Sequence, residues 1–192
     1  MSEASYRFTV TNARLAFPQL WKAKSGPDGG DPTFSAAFII PKDHPIIAEI
    51  NKASVKLGRE KWGEKADVIL KGLKAQDRLA VHDGDAKAQY AGYEGNAFIN
   101  ARSKVRPSVV DRNRVQLTEN DGKPYAGCYV NALIELWAQD NKAYGKRINA
   151  SLRGVQFVKD GDAFAAGSTA SEDEFADLGD QGSGGDEVDP LS

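Results

Sequence analysis

In residues 125–139, "YAGCYVNALIELWAQ", the side chains divide cleanly by twos. Successive side chains of an extended strand point to opposite faces. One face takes Ala126, Cys128, Val130, Ala132, Ile134 and Leu136, all apolar. The other takes Tyr125, Tyr129, Asn131, Leu133, Glu135 and Trp137. That is the pattern of a strand with one face on a core, and it recurs along the chain. Residues 6–17, 33–40, 97–106 and 146–159 are rich in aromatic and β-branched residues and read as four further strands. The chain is therefore mainly β.

Helical spacing is clear in one place. In "DHPIIAEINKASVKLGREKWG", Asp43 is the candidate N-cap and Pro45 falls in the first turn. Ile46, Ile50, Ala53 and Leu57 then share one face. "DVILKGL" reads equally as a short strand or a helix, and "VHDGDAKAQYAGYEGN" reads as a loop, as does "SGPDGGDP" at 25–32. Five strands, one main α-helix and long loops predict a small β-barrel or sandwich, too rich in strands for a doubly wound α/β fold. No Gly-rich phosphate loop occurs.

Charge splits the chain into two domains of different character. Its 25 Lys and Arg face 27 Asp and Glu, but nine of those acids lie in residues 161–192, which hold no Lys or Arg. The first 160 residues thus carry 25 bases against 18 acids. A basic body is followed by an acidic tail, and that asymmetry is a better guide to partners than the net charge of −2. The tail, residues 164–192, is rich in Gly, Ser, Asp and Glu and lacks periodicity, so disorder is expected there. Phe175, Leu178, Val188 and Leu191 stud its acids, so the segment reads as a solubilising tail or, since such a tail would not need those apolar residues, as an interaction tail. Residues 1–163 are expected to form the folded domain; a chain of 192 residues with 41% hydrophobic content can bury a real core.

The basic run "FINARSKVRPSVVDRNR" carries the candidate site. Ile99, Ala101, Ser103 and Val105 make a small, mostly apolar row. Phe98, Asn100, Arg102, Lys104 and Arg106 make the opposite one, an aromatic and three cations with no acid between them. From Pro107 onward the run reads as leaving the strand, which puts Arg112 and Arg114 on a loop. In "RINASLRGVQFVK", Arg147, Asn149, Ser151 and Arg153 share a register. Cations neutralise phosphates, while flat rings stack on unpaired bases whatever the sequence. The stacking candidates are Phe98, Tyr129 and Trp137, with Tyr90 and Tyr93 from the preceding loop. Arg102, Lys104, Arg106, Arg112 and Arg114 would hold phosphates, with Arg147 and Arg153 on the neighbouring strand. Single-stranded DNA is the expected partner, since a duplex hides its base faces.

Other chemistry finds little support. The chain has two histidines, His44 and His82, and one cysteine, Cys128, so no Cys/His zinc site can form. No catalytic set, metal site or cofactor is expected. Cys128 lies on the core register, as a small hydrophobe would. A lone cysteine excludes an internal disulfide and fits a reducing, cytoplasmic compartment. No apolar run is long enough to span a bilayer, and no secretory signal opens the chain.

The phrases "ARLAFPQLW", "PTFSAAFIIPKDHP", "FINARSKVRPSVVD", "YAGCYVNALIELWAQDN" and "LRGVQFVKDGDAF" occur in this order. Together they resemble a family of bacteriophage proteins long catalogued as a domain of unknown function, whose members act as single-stranded DNA-binding proteins. The resemblance spans most of residues 8–165. It implies an OB-fold-like five-stranded barrel, non-sequence-specific binding of single strands, and a role in phage DNA replication or recombination. It further implies a tail that recruits replication or recombination proteins. A homo-oligomer is compatible with it. The rival reading is a structural or assembly protein whose Tyr125, Tyr129 and Trp137 face is a protein interface.

Overall fold

Each of the five predicted segments holds a strand in the computed structural model, which describes residues 6–164, although 125–128 turn before the strand begins and 104–106 lie past a strand end. They are β1 (Arg7–Lys24), β2 (Thr33–Pro41), β4 (Asn96–Ser103), β6 (Tyr129–Asn141) and β7 (Gly145–Lys159). Two three-residue strands, β3 (Val81–Asp83) and β5 (Ser108–Val110), complete the sheet. The order is β3-β4-β2-β1-β6-β7-β5, and β4 also pairs with β7, which closes β1, β2, β4, β6 and β7 into a barrel. The closing pair is parallel, with Ala101 opposite Ala150 and Arg102 opposite Ser151. The other four barrel pairs are antiparallel. This is OB-type closure of a five-stranded barrel.

The alternation explains the core. Val130, Ala132, Ile134 and Leu136 of β6 are buried, facing Leu15, Phe38, Ile99 and Leu152 from the other strands. Cys128 sits among them without exposure, and burial pushes its thiol above the ordinary range. It is a core hydrophobe.

Two helices lie between β2 and β4: α1 (Pro45–Trp62) and α2 (Ala66–Ala75). "DVILKGL" is thus helical. Ile46, Ile50, Ser54 and Gly58 form the buried stripe of α1 at a spacing of four. The N-cap is His44 instead of Asp43: its Nδ1 accepts from the Ile46 amide at 3.1 Å, while Nε2 lies 2.9 Å from the Thr11 carbonyl. The loop read at 81–96 contains β3 and a short 3₁₀ turn, Gly84–Lys87. The acidic tail and its apolar residues lie outside the described residues.

Candidate nucleic-acid interface

The seam between β4 and β7 brings two predicted rows together. Cross-strand register places Gln19, Ser35 and Arg102 side by side on β1, β2 and β4. Across the parallel pair Arg102 meets Ser151, and Ser151 meets Glu135 on β6. One residue pair along, Ala16, Ala37 and Asn100 align, while Asn149 on β7 faces Trp137 on β6. The outcome is a strip of cations and amides over the barrel's outer surface. Arg102 and Asn100 are exposed, Arg147 is half-buried, and Trp137 keeps 44% of its surface open.

Not every predicted cation joins this strip. The strand ends at Ser103, so the alternation does not carry Lys104 and Arg106 onward. Lys104 reaches Asp31 in the β1–β2 loop at 2.6 Å, and Arg106 lies over the Trp21 ring at 5.6 Å. The Lys104 ammonium holds the Asp31 carboxyl below the usual range. Beyond the break, β5 continues the same track along β7, with Val109 opposite Val155. Arg112 donates to the Val158 carbonyl at 2.6 Å, which ties the loop to β7. Arg114 sits in the following turn, where the Asp111 carboxylate accepts from the amides of Asn113 (2.8 Å) and Val115 (2.9 Å). Arg153 donates to Glu135 at 2.8 Å, and Arg7 approaches the same oxygen at 3.4 Å. The Arg153 hydrogen bond, aided by both positive charges, keeps Glu135 ionised below its ordinary range.

The aromatic expectations divide more sharply. Phe98 does face outward from the barrel, but outward is not exposed: only 3% of it meets solvent. Tyr93 packs on it edge-on at 5.0 Å, His82 stacks on it at 5.1 Å, and Lys87 lies 5.0 Å from its ring. Tyr93 is itself buried, which pushes its phenol up to about 12. Ala16, Ala37, Ile39, Phe98 and Tyr93 form a second small core outside the barrel. Neither Phe98 nor Tyr93 offers a free ring face for stacking. Tyr90 does, being 44% exposed. Tyr129 is half-buried between Lys159 at 4.8 Å and Arg14 at 5.9 Å. Tyr125 precedes the strand and donates to Asp160 at 2.8 Å. Tyr125, Tyr129 and Trp137 therefore do not form one open face, which removes the geometric ground of the rival reading.

The family model for the single-stranded DNA-binding protein of Enterobacter phage Enc34 matches residues 7–186. The chain belongs to that family. A relative from Acyrthosiphon pisum secondary endosymbiont phage 1, "Putative protein p50", is 45% identical over 176 residues, covering 90% of this chain and 94% of its own. Among solved structures, the Enc34 protein in complex with single-stranded DNA is 35% identical at a TM-score of 0.70, covering 83% of this chain and 90% of that one. The bacteriophage T7 single-stranded DNA-binding protein gp2.5, 17% identical at a TM-score of 0.55, covers 94% of this chain and all of its own. That last likeness shows the fold alone.

Three features of this Enc34-family chain escape a reading by register. Phe17 should face the core with Ala13 and Leu15, yet it is 56% exposed. A register shift between Ala16 and Gln19 turns it outward. The run "LAFP", three apolar residues in a row before a proline, was the available signal. Tyr144, 70% exposed, tips the β6–β7 hairpin beside Lys142 and Lys146, and Arg78 donates to its carbonyl at 3.1 Å. Nothing local marked it. Finally, Gly161 to Phe164 fold back along residues 125–127, and Phe164 packs against the outer cluster. The Phe164 amide donates to the Ala126 carbonyl at 3.0 Å. Arg14 donates to the Asp162 carbonyl at 2.7 Å and lies 4.3 Å from the Phe164 ring. Phe164 thus docks on the body. Among the described residues no group of three or more His, Cys, Asp or Glu is placed to hold a metal, and no helix is long and apolar enough to cross a membrane.

Proposed function

We propose that this protein binds single-stranded DNA without sequence preference and coats exposed strands during phage DNA replication or recombination, as a binding protein and not an enzyme. The carrying observation is the strip across the β4–β7 seam. Arg102 and Arg147 lie beside Asn100 and Asn149, with Trp137 at one end. Guanidinium groups hold phosphates, amides accept or donate to whatever base edge arrives, and rings stack on any base. The Enc34 relative was solved with single-stranded DNA, and the likeness covers 83% of this chain. Fluorescence titration against oligothymidine and a duplex of equal length, at several salt concentrations, tests the reading. Oligothymidine should bind more tightly, with affinity falling steeply as salt rises. Equal affinity for both, or no salt dependence, overturns it.

The tail belongs to the same proposal, as a recruiting segment for replication or recombination proteins and an internal competitor for the basic strip. Nine acids follow Lys159 and Asp160, and Phe164 anchors the start of that segment beside Arg14. Deleting residues 166–192 should raise apparent affinity for oligothymidine several-fold at low salt. A loss of affinity in the same titration contradicts the competitor role.

A further inference from the structure

Phe17 adopts φ +47°, a left-handed conformation that a bulky aromatic residue rarely holds. Asn12 (φ +51°), Asp77 (φ +55°) and Arg114 (φ +66°) share it, but Arg114 sits in a tight turn whose flanking amides donate to the Asp111 carboxylate, and Asn and Asp tolerate that region through local hydrogen bonding. Phe does not, and glycine would occupy the position without strain. Core packing does not explain the residue either, because 56% of it is exposed. Such strain persists where the surroundings hold it and the side chain has a use.

The surroundings are well built. Phe17 meets Tyr90 edge-to-face at 5.2 Å and 87°, and both rings stand on the buried Tyr93, at 6.3 and 6.0 Å. Tyr93 rests in turn on Phe98. The loop that carries Tyr90 is tied down at both ends. Asp85 accepts from the Gly95 amide at 2.7 Å and from Lys42 at 2.6 Å, and Asn96 donates to the Gly92 carbonyl at 2.9 Å. Along β1, Phe17 falls between the row ending at Asn100 and the row ending at Arg102. Two half-open rings at a right angle thus stand beside the cationic strip on a rigid footing.

We infer that Phe17 and Tyr90 form a base clamp: one unpaired nucleobase of the bound strand stacks in the corner between the two rings, held there by the strained bulge of β1. This rests on the single-strand reading above and adds a stacking site to it. The occupant is an unpaired base because the rings carry no charge and the neighbouring strip supplies the phosphate contacts. A duplex would have to flip a base to enter.

The test compares full-length wild type, Phe17→Gly, Phe17→Asn and Phe17→Trp on oligothymidine and on an abasic strand of equal length. Phe17→Gly and Phe17→Asn should each lose about ten-fold in affinity for oligothymidine. They should keep wild-type affinity for the abasic strand, the wild-type salt slope and an undiminished melting temperature, since relieved strain offsets the lost ring. Phe17→Trp should bind oligothymidine at least as well as wild type. The clamp is overturned if Phe17→Gly and Phe17→Asn bind oligothymidine within two-fold of wild type, or lose equally on both strands. A change of oligomeric state in place of a change in binding also overturns it. Wild type that ignores oligothymidine altogether removes the single-strand reading and the clamp with it, whereas failure of the clamp alone leaves wild-type binding intact.

Discussion

Replacing Arg102 and Arg147 together by alanine is expected to cut oligothymidine affinity about 100-fold at low salt while leaving the fold unchanged. Each charge-assisted contact to a phosphate contributes about 1.5 kcal/mol or more, and two lost contacts give about 3 kcal/mol. The salt slope should flatten as well, because each phosphate contact on a single strand adds about 0.7 to it. Two missing contacts predict a slope shallower by about 1.4. Stability should hold, since Arg102 is exposed and Arg147 half-buried, and neither is paired with a carboxylate among the described residues. The pair differs in this from Arg153, committed to Glu135, and from Lys104, committed to Asp31. Affinity titrations at four or five salt concentrations check the magnitude and the slope together. Unchanged affinity with an unchanged slope would place the strand elsewhere on the barrel.

The second large effect falls on stability. Gly84→Ala should cost about 2–3 kcal/mol, a fall of roughly 4–12 °C in melting temperature. Gly84 is buried where β3 turns into the 84–95 loop, and a Cβ there would run into the carbonyl oxygens of Tyr93 and Asn96. The first of these accepts the Asn96 amide at 3.1 Å, so the obstacle is hydrogen-bonded backbone and cannot swing aside as a side chain would. Relief requires the loop to lift, which carries Tyr90 and Tyr93 off the outer cluster. Oligothymidine affinity should therefore fall together with stability, measured by thermal melting and titration of one preparation. A melting temperature within about 2 °C of wild type would mean that the loop yields freely.

Much of the barrel could be read in advance, for a definite reason. Where a strand buries one face, burial selects residues at every second position, as it does in β6, whereas β2 buries both faces over residues 36–40. That selection shows in Val130, Ala132, Ile134 and Leu136 without knowledge of any neighbour. The helix cap was harder. Asp43 and His44 are adjacent and both can accept from an amide, and the Thr11 carbonyl, remote in sequence, engages the His44 ring. Outward placement was legible where a side chain stays on a regular strand, as with Asn100, Arg102 and Arg147. It was not legible where the backbone departs from it: Lys104 and Arg106 lie past the end of β4, and Phe17, which carried no expectation, lies in a bulge.

Alternation of residue types, then, determined the mainly β architecture, and the separation of 25 bases from nine terminal acids determined that a basic body precedes an acidic segment. Both are properties of position along the chain, and both survive any folding. Which outward-facing rings meet solvent was decided only by tertiary structure. Phe98 and Tyr93 lie on the outside of the barrel yet are covered, because a loop from residues 84–95 closes over β2 and β4. Phe17 stands exposed although strict alternation from Leu15 would turn it inward, because one register shift turns a side chain to the opposite face. Exposure depends on what packs over a face, and alternation reports only which face it is.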